Sequence, residues 1–137
     1  MSAKDAPKIR LHHCGINVTD FEGSIKWYCD MLGFTVAKRL RLPGRPTEIA
    51  FLKHGDFYLE FFELPGAAGA PPDPAKDRGR PGLRHFAFAV EDVPATVAGL
   101  RQRGVEIMME SIVEGSPMAY IRDNSGNPVE LVSLDAP

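Results

Sequence analysis

The sequence predicts an α+β fold made of two similar βαβββ modules, and a repeated stretch carries this prediction. In both copies a strand-like run holds a histidine seven residues before an aspartate, at His13/Asp20 and His85/Asp92. Each aspartate precedes a helix-length segment that ends at a glycine, and three strand-like runs follow each helix. An internal repeat of this kind indicates a chain assembled from two related units.

The first module is predicted to span residues 9–63. Residues alternate from Ile9 to Val18 in the manner of a strand, and Asp20 is a typical N-cap for the following helix. Gly33 is placed to end that helix in a left-handed conformation. Turns rich in Gly and Pro separate the later strands. The predicted elements are a strand at 9–18, a helix at 21–32, and strands at 34–42, 47–53 and 57–63.

Residues 64–81 are predicted to link the modules. This segment is rich in proline and glycine, and its alanines show no period, so no regular element is expected. Its length is unusual for a connection within a compact domain. A surface linker, a flap over a site and a crossing between the halves all fit this composition.

The second module is predicted to span residues 82–134, and it repeats the order of the first. Asp92 is the expected N-cap, Pro94 is tolerated in the first helical turn, and Gly104 ends the helix. The predicted elements are a strand at 83–90, a helix at 93–103, and strands at 105–112, 118–122 and 129–134. Together the modules form one predicted domain over residues 1–137.

Composition and charge narrow the class of partner. The 137 residues are 44% hydrophobic and 25% charged, which is typical of a globular protein, and the net charge is −2. A pI near 6.1 gives no basic footprint for nucleic acid, and no apolar run is long enough to cross a membrane. We expect a cytoplasmic protein with a small-molecule substrate, no nucleic-acid partner and no membrane partner. Cys14 and Cys29 are expected to be reduced.

A glutamate flanked by apolar residues lies in the last strand of each module, at Glu60 and Glu130. Burying an unpaired carboxylate is costly, so such groups are normally paired or bound to metal. His13 and His85 share their strand faces with small residues, and two His and two Glu suit a divalent first-row metal. Singly, each residue also fits a structural role, but repetition at matching positions favours the metal. The side chains predicted to line the same open face and bind substrate are Asn17, Tyr58, Phe62, Tyr120 and Arg122.

Four segments of the chain resemble the vicinal oxygen chelate superfamily, which includes glyoxalase I, methylmalonyl-CoA epimerase, bleomycin-resistance proteins and extradiol dioxygenases. The resemblance covers nearly the whole chain outside the N-terminal tail and the linker. It implies that the modules form a curved, partly open sheet barrel around a metal site. It also implies a homodimer, because members commonly pair and some share the metal between chains. The segments are 13–20, 24–34, 84–92 and 123–131.

The resemblance also implies a reaction. His13, Glu60, His85 and Glu130 match the ligands of a divalent Ni, Co, Mn, Zn or Fe ion in the metal-dependent isomerases. The implied activity is that of a glyoxalase I-like isomerase, epimerase or lyase that moves a proton next to a carbonyl through an enediolate. Glu130 is the implied catalytic base and Glu60 its pseudo-symmetric counterpart. Asn17 stands where bacterial glyoxalase I has a glutathione-binding arginine, which argues against glutathione.

Two other classes of protein stay open from the sequence. An Fe(II) extradiol-type dioxygenase could use His13, His85 and Glu130, although Glu60 would take a metal position that oxygen and catechol need. A metal-free protein that sequesters an antibiotic would not need the four ligand residues. His12 is expected on the helix side of its strand and to be structural.

Overall fold

The computed structural model describes residues 6–64, 73, 76, 79 and 81–136. The two predicted modules are confirmed: each forms one four-stranded mixed sheet with one helix. Most of the predicted linker lies outside the described residues. The first module contains β1 (His13–Val18), α1 (Phe21–Leu32), β2 (Thr35–Arg41), β3 (Glu48–His54) and β4 (Phe57–Glu63). The second contains β5 (Phe86–Val90), α2 (Val93–Gln102), β6 (Ile107–Val113), β7 (Ser116–Arg122) and β8 (Pro128–Ser133).

Both sheets have the same topology. The strand orders are β1-β4-β3-β2 and β5-β8-β7-β6, and the first strand of each module pairs in parallel with the last. The register places Gly15 opposite Glu60 and Ala87 opposite Glu130. The sheets are curved but not closed into a barrel, so β1 and β5 each lie at a sheet edge. Within the described part of the chain, no helix is long and apolar enough to span a membrane.

Both helices begin at the predicted aspartates. Asp20 Oδ1 accepts a hydrogen bond from the Gly23 amide at 3.0 Å, and Asp92 Oδ1 accepts one from the Ala95 amide at 2.9 Å. Such N-caps typically contribute about 1 kcal/mol. A Cβ atom at Gly23 would lie 2.2 Å from a carboxylate oxygen of Asp20, so a larger residue there would displace the capping carboxylate. Gly33 ends α1 with φ of 73°, as predicted.

The bulky faces of the two first strands form the cores. Val18 is fully buried under α1, whereas Gly15 and Ala87, on the histidine faces, are exposed. Phe88 of β5 packs on Phe34 and Phe57 of the first module, with ring centroids 5.6 and 6.1 Å apart. The modules therefore meet through the strand faces that lie opposite the histidines.

The loop that follows β7 fastens the second module to α1. Tyr28 donates a hydrogen bond to Asp123 Oδ2 at 2.8 Å, and Asp123 is only 5% exposed. Ser24 Oγ donates to Asn124 Oδ1 at 3.0 Å, and Ser125 Oγ accepts from the Thr19 amide at 3.0 Å. These contacts cross between modules and fix their relative orientation.

Removing the Tyr28 hydroxyl tests the contribution of this loop. Tyr28→Phe is expected to lower the free energy of unfolding by about 1.5 to 3 kcal/mol, the usual range for a hydrogen bond to a charged group. Asp123 keeps its bonds from the Ser125 and Asn127 amides, so the fold should persist. Denaturant titration measures the change. Tyr58→Phe is the control, because the Tyr58 ring is only half-buried; equal stability of the wild type and Tyr28→Phe would contradict the prediction.

The same variant should also respond differently to alkaline pH. Burial raises the pKa of Tyr28 well above its ordinary value of 10.0, and the Asp123 carboxylate raises it further. A raised pKa means that the folded protein favours the neutral phenol. This stabilisation is complete below the unfolded-state pKa and is lost as the pH rises beyond it. The corresponding alkaline loss of stability should be smaller in Tyr28→Phe.

Candidate metal centre

His13 and Glu60 form the first of two histidine–glutamate pairs. The parallel pairing of β1 and β4 brings His13 Nε2 to 3.1 Å from Glu60 Oε2. The side chains are 38% and 17% exposed, so the pair borders solvent. A Cβ at Gly15 would lie 3.7 Å from Glu60 Oε2, so this small residue keeps the space beside the carboxylate open. The Phe51 ring packs edge-on to His13 with centroids 5.7 Å apart.

His85 and Glu130 form the second pair, which is built in the same way on β8 and the chain just before β5. His85 Nε2 lies 2.7 Å from Glu130 Oε2, and the side chains are 23% and 18% exposed. The Tyr120 hydroxyl lies 3.2 Å from His85 Nδ1 and 3.3 Å from Nε2. Burial raises the pKa of Tyr120 and the Glu130 charge raises it further, whereas the Arg84 charge lowers this pKa.

The two pairs do not meet within one chain. In the part of the chain that the structure describes, no three His, Cys, Asp or Glu residues lie close enough together to hold a metal. The packing of the modules explains this, because they meet through the faces opposite the histidines. Each module thus presents two of the four predicted ligands, and that set of four stays a prediction for an assembly of chains.

The residues predicted to bind substrate lie at different distances from the pairs. Tyr58 is opposite His13 in the sheet register, and Phe62 lies against Gly15. Tyr120 contacts His85, as described above. Arg122 is engaged elsewhere, since its Nη1 donates to the Gly126 carbonyl at 2.6 Å and its Nε lies 3.6 Å from Glu106 Oε1. Asn17 is exposed on the His13 face of β1, and its carbonyl accepts from Asn127 Nδ2.

His12 is the residue of this region that the sequence did not reveal. The expectation that it lies on the helix side was wrong, because β1 begins at His13 and strand alternation does not extend to the preceding residue. Its ring stacks on Tyr58 with centroids 5.4 Å apart, and its Nδ1 lies 2.8 Å from Nδ1 of His13. The only available signal was its position next to a predicted ligand.

Comparison with known proteins agrees with this architecture. The family model described as Glyoxalase/Bleomycin resistance protein/Dioxygenase superfamily matches residues 10–131. The chain belongs to this superfamily. Uncharacterized protein YaeR of Escherichia coli K12 is 32% identical over 89% of this chain and 94% of its own length. A probable lactoylglutathione lyase of Synechocystis is 29% identical over 92% and 96%.

A solved structure is similar to this chain in both sequence and fold. The trypanothione-dependent glyoxalase I of Leishmania major is 31% identical to this chain, with a TM-score of 0.73 over 92% of this chain and 87% of its own. The superfamily resemblance inferred from the sequence is confirmed, and so is the kinship with glyoxalase I.

In the present chain, a groove of about 630 Å³ runs between β1 and β5. It is lined mainly by apolar side chains, and Leu11 and Leu83 at its rim are 82% and 85% exposed. A smaller cavity of about 120 Å³ lies beside His85 and is bordered by Cys14. Burial raises the pKa of the Cys14 thiol, which favours its neutral form. The histidine pairs are therefore next to exposed apolar surface.

Proposed function

We propose that the protein is a metal-dependent isomerase, epimerase or lyase of the glyoxalase I type that works as a homodimer. One centre would take His13 and Glu60 from one chain and His85 and Glu130 from the other. The observation that carries the proposal is the pair of matching His–Glu contacts, 3.1 and 2.7 Å long, at corresponding positions of the two modules. Two imidazoles and two carboxylates suit a divalent first-row metal and leave positions for substrate.

The exposed edges of the sheets support a partner of the same sequence. β1 and β5 are edge strands, and exposed edges are normally covered or paired. Leu11 and Leu83 stand two residues before His13 and His85, and both are more than four-fifths exposed. A second copy of the chain that covers these leucines would bring its own histidine face next to the histidine face of the first copy. This arrangement would join two half-centres into one.

The chain's own residues would divide the chemical work. When bound, the metal supplies Lewis-acid stabilisation of negative charge on two neighbouring substrate oxygens. Glu130 would take and return the proton at the adjacent carbon, since a half-buried carboxylate beside the substrate can act as a base. The Tyr120 hydroxyl, which lies 3.2 Å from His85 Nδ1, would donate a hydrogen bond to a substrate oxygen. Phe51 packs edge-on against His13 and Phe62 lies against Gly15, so both would border the substrate on the His13 side.

Metal analysis tests the proposal. Protein purified without a metal-affinity tag is stripped with chelator and loaded separately with Ni, Co, Mn, Zn and Fe(II). The wild type is expected to hold close to one ion per chain, and His85→Ala is expected to hold almost none, because one of four ligands is removed and the Glu130 carboxylate loses its partner. His54→Ala is the matched control, since His54 contacts the Phe34 ring and neither pair.

The outcome also separates the alternative classes. Absence of metal from the wild type under every loading condition would contradict the proposal and favour a sequestering protein. Oxygen uptake with catechols after anaerobic Fe(II) loading would favour a dioxygenase. Uptake at the background rate, together with metal binding, supports isomerase or lyase chemistry.

A further inference from the structure

We infer that His12 is a positioning residue for His13 and acts through a hydrogen bond between the two imidazole rings. Nδ1 of His12 lies 2.8 Å from Nδ1 of His13, while Nε2 of His13 faces Glu60 at 3.1 Å. The two nitrogens of the His13 ring therefore have different partners. The inference rests on the proposed function, because it concerns the metal that His13 would hold.

The ring contact determines which nitrogen of His13 carries hydrogen when the other binds metal. A neutral imidazole that gives one lone pair to a metal carries its hydrogen on the second nitrogen. With Nε2 as the ligand atom, His13 donates its Nδ1 hydrogen to Nδ1 of His12, and His12 carries its own hydrogen on Nε2. Partners of this kind fix the orientation and tautomer of metal-binding histidines.

His12 is itself held in place, although it precedes β1 and is exposed. Its ring stacks nearly parallel to Tyr58, with an angle of 16° between the planes. The Tyr58 amide donates to the His12 carbonyl at 3.4 Å, and Lys53 Nζ lies over the Tyr58 ring at 5.6 Å from its centroid. The acceptor nitrogen of His12 is thus held in place by contacts of the His12 backbone and of the His12 ring.

In the second pair the residue before the histidine is of another type. Arg84 precedes His85, and the polar contact to His85 comes from Tyr120. In the first module, the β3 residue paired with Glu60 in the sheet register is Phe51, which has no hydroxyl, whereas in the second the β7 residue paired with Glu130 is Tyr120. His12 therefore supplies to His13 the polar contact that Tyr120 supplies to His85.

Two substitutions at position 12 separate the hydrogen bond from the stacking. His12→Phe keeps a flat ring for Tyr58 but loses the acceptor nitrogen. His12→Asn loses the ring but places an amide oxygen close to the position of Nδ1. Competition with a chromophoric chelator measures the dissociation constants for Zn²⁺ and for Ni²⁺. His12→Phe is expected to weaken metal binding by about 10- to 100-fold, which is the usual effect of removing a hydrogen-bond partner of a metal-binding histidine. His12→Asn should stay close to the wild type.

A spectroscopic signature distinguishes positioning from a structural effect. In the Zn²⁺-loaded wild type and in His12→Asn, the NMR signal of the His13 Nδ1 hydrogen is expected to persist, because the hydrogen bond slows its exchange with water. In His12→Phe this signal should be lost to exchange. His54→Phe is the control for both measurements, and thermal unfolding reports whether each variant is folded. His12→Ala replaces His12→Phe if the phenylalanine variant does not fold.

The outcomes are distinguishable. Weaker metal binding in His12→Phe together with recovery in His12→Asn supports the inference. Equal metal affinity in the wild type and His12→Phe overturns it and leaves the proposed metal centre intact. A wild type that binds neither Zn²⁺ nor Ni²⁺ overturns the proposed function and this inference with it.

Discussion

Mixed dimers of His13→Ala and His85→Ala chains are expected to bind metal, although each variant alone should bind almost none. In the proposed dimer each centre takes His13 and Glu60 from one chain and the other two ligands from its partner. One centre of a mixed dimer then contains both alanines, and the other contains neither. With random pairing, about half of the dimers are mixed and half of their centres are intact, so about a quarter of the wild-type metal content should return.

The measurement is the metal content per chain after the two variants are unfolded together in guanidinium and refolded with Zn²⁺. A mixture of His13→Ala with Glu60→Ala is the matched control, because both changes lie in the same module. Every centre of that mixed dimer is damaged, so no metal should return. If the first mixture also recovers nothing, the centre is not shared between chains in the proposed way.

The module fold could be predicted because its signals are local in the chain. Asp20 and Asp92 each accept a hydrogen bond from the backbone amide three residues further on, and this contact depends only on a short stretch of chain. The starts of the first strands were predicted too early, at Ile9 and Leu83. These residues are 87% and 85% exposed, so their apolar character does not reflect burial in the sheet of a single chain.

The relation between the modules could not be predicted in the same way. Strand alternation tells which side chains share a face, but it does not tell which face of one module meets the other. The packing of Phe88 on Phe34 and Phe57 decides this, and it depends on contacts between residues far apart in sequence. For this reason the sequence could pair His13 with Glu60, and His85 with Glu130, but could not locate the two pairs relative to each other.

The difference between the two pairs supports the proposal that Glu130, rather than Glu60, moves the proton. The β7 residue paired with Glu130 in the sheet register is Tyr120, whereas the β3 residue paired with Glu60 is Phe51. The second pair therefore has a hydroxyl beside its histidine that could donate to a substrate oxygen while its carboxylate accepts a proton from the neighbouring carbon. Two groups with complementary roles at one position are what general acid–base catalysis requires.

Glu130→Gln is accordingly expected to keep most of its metal and to lose proton transfer by about 10²- to 10⁴-fold, the usual contribution of a general base. The amide oxygen still offers a ligand atom, but glutamine cannot accept a proton at neutral pH. Deuterium uptake from D₂O at the carbon next to the carbonyl, in hydroxyacetone and in hemithioacetals of methylglyoxal, measures this transfer by NMR. Glu60→Gln is the matched control, because it removes the same charge from the pair that has Phe51 instead of a hydroxyl neighbour. Full exchange in Glu130→Gln would contradict the assignment, and equal losses in both variants would mean that the two carboxylates share the role of base.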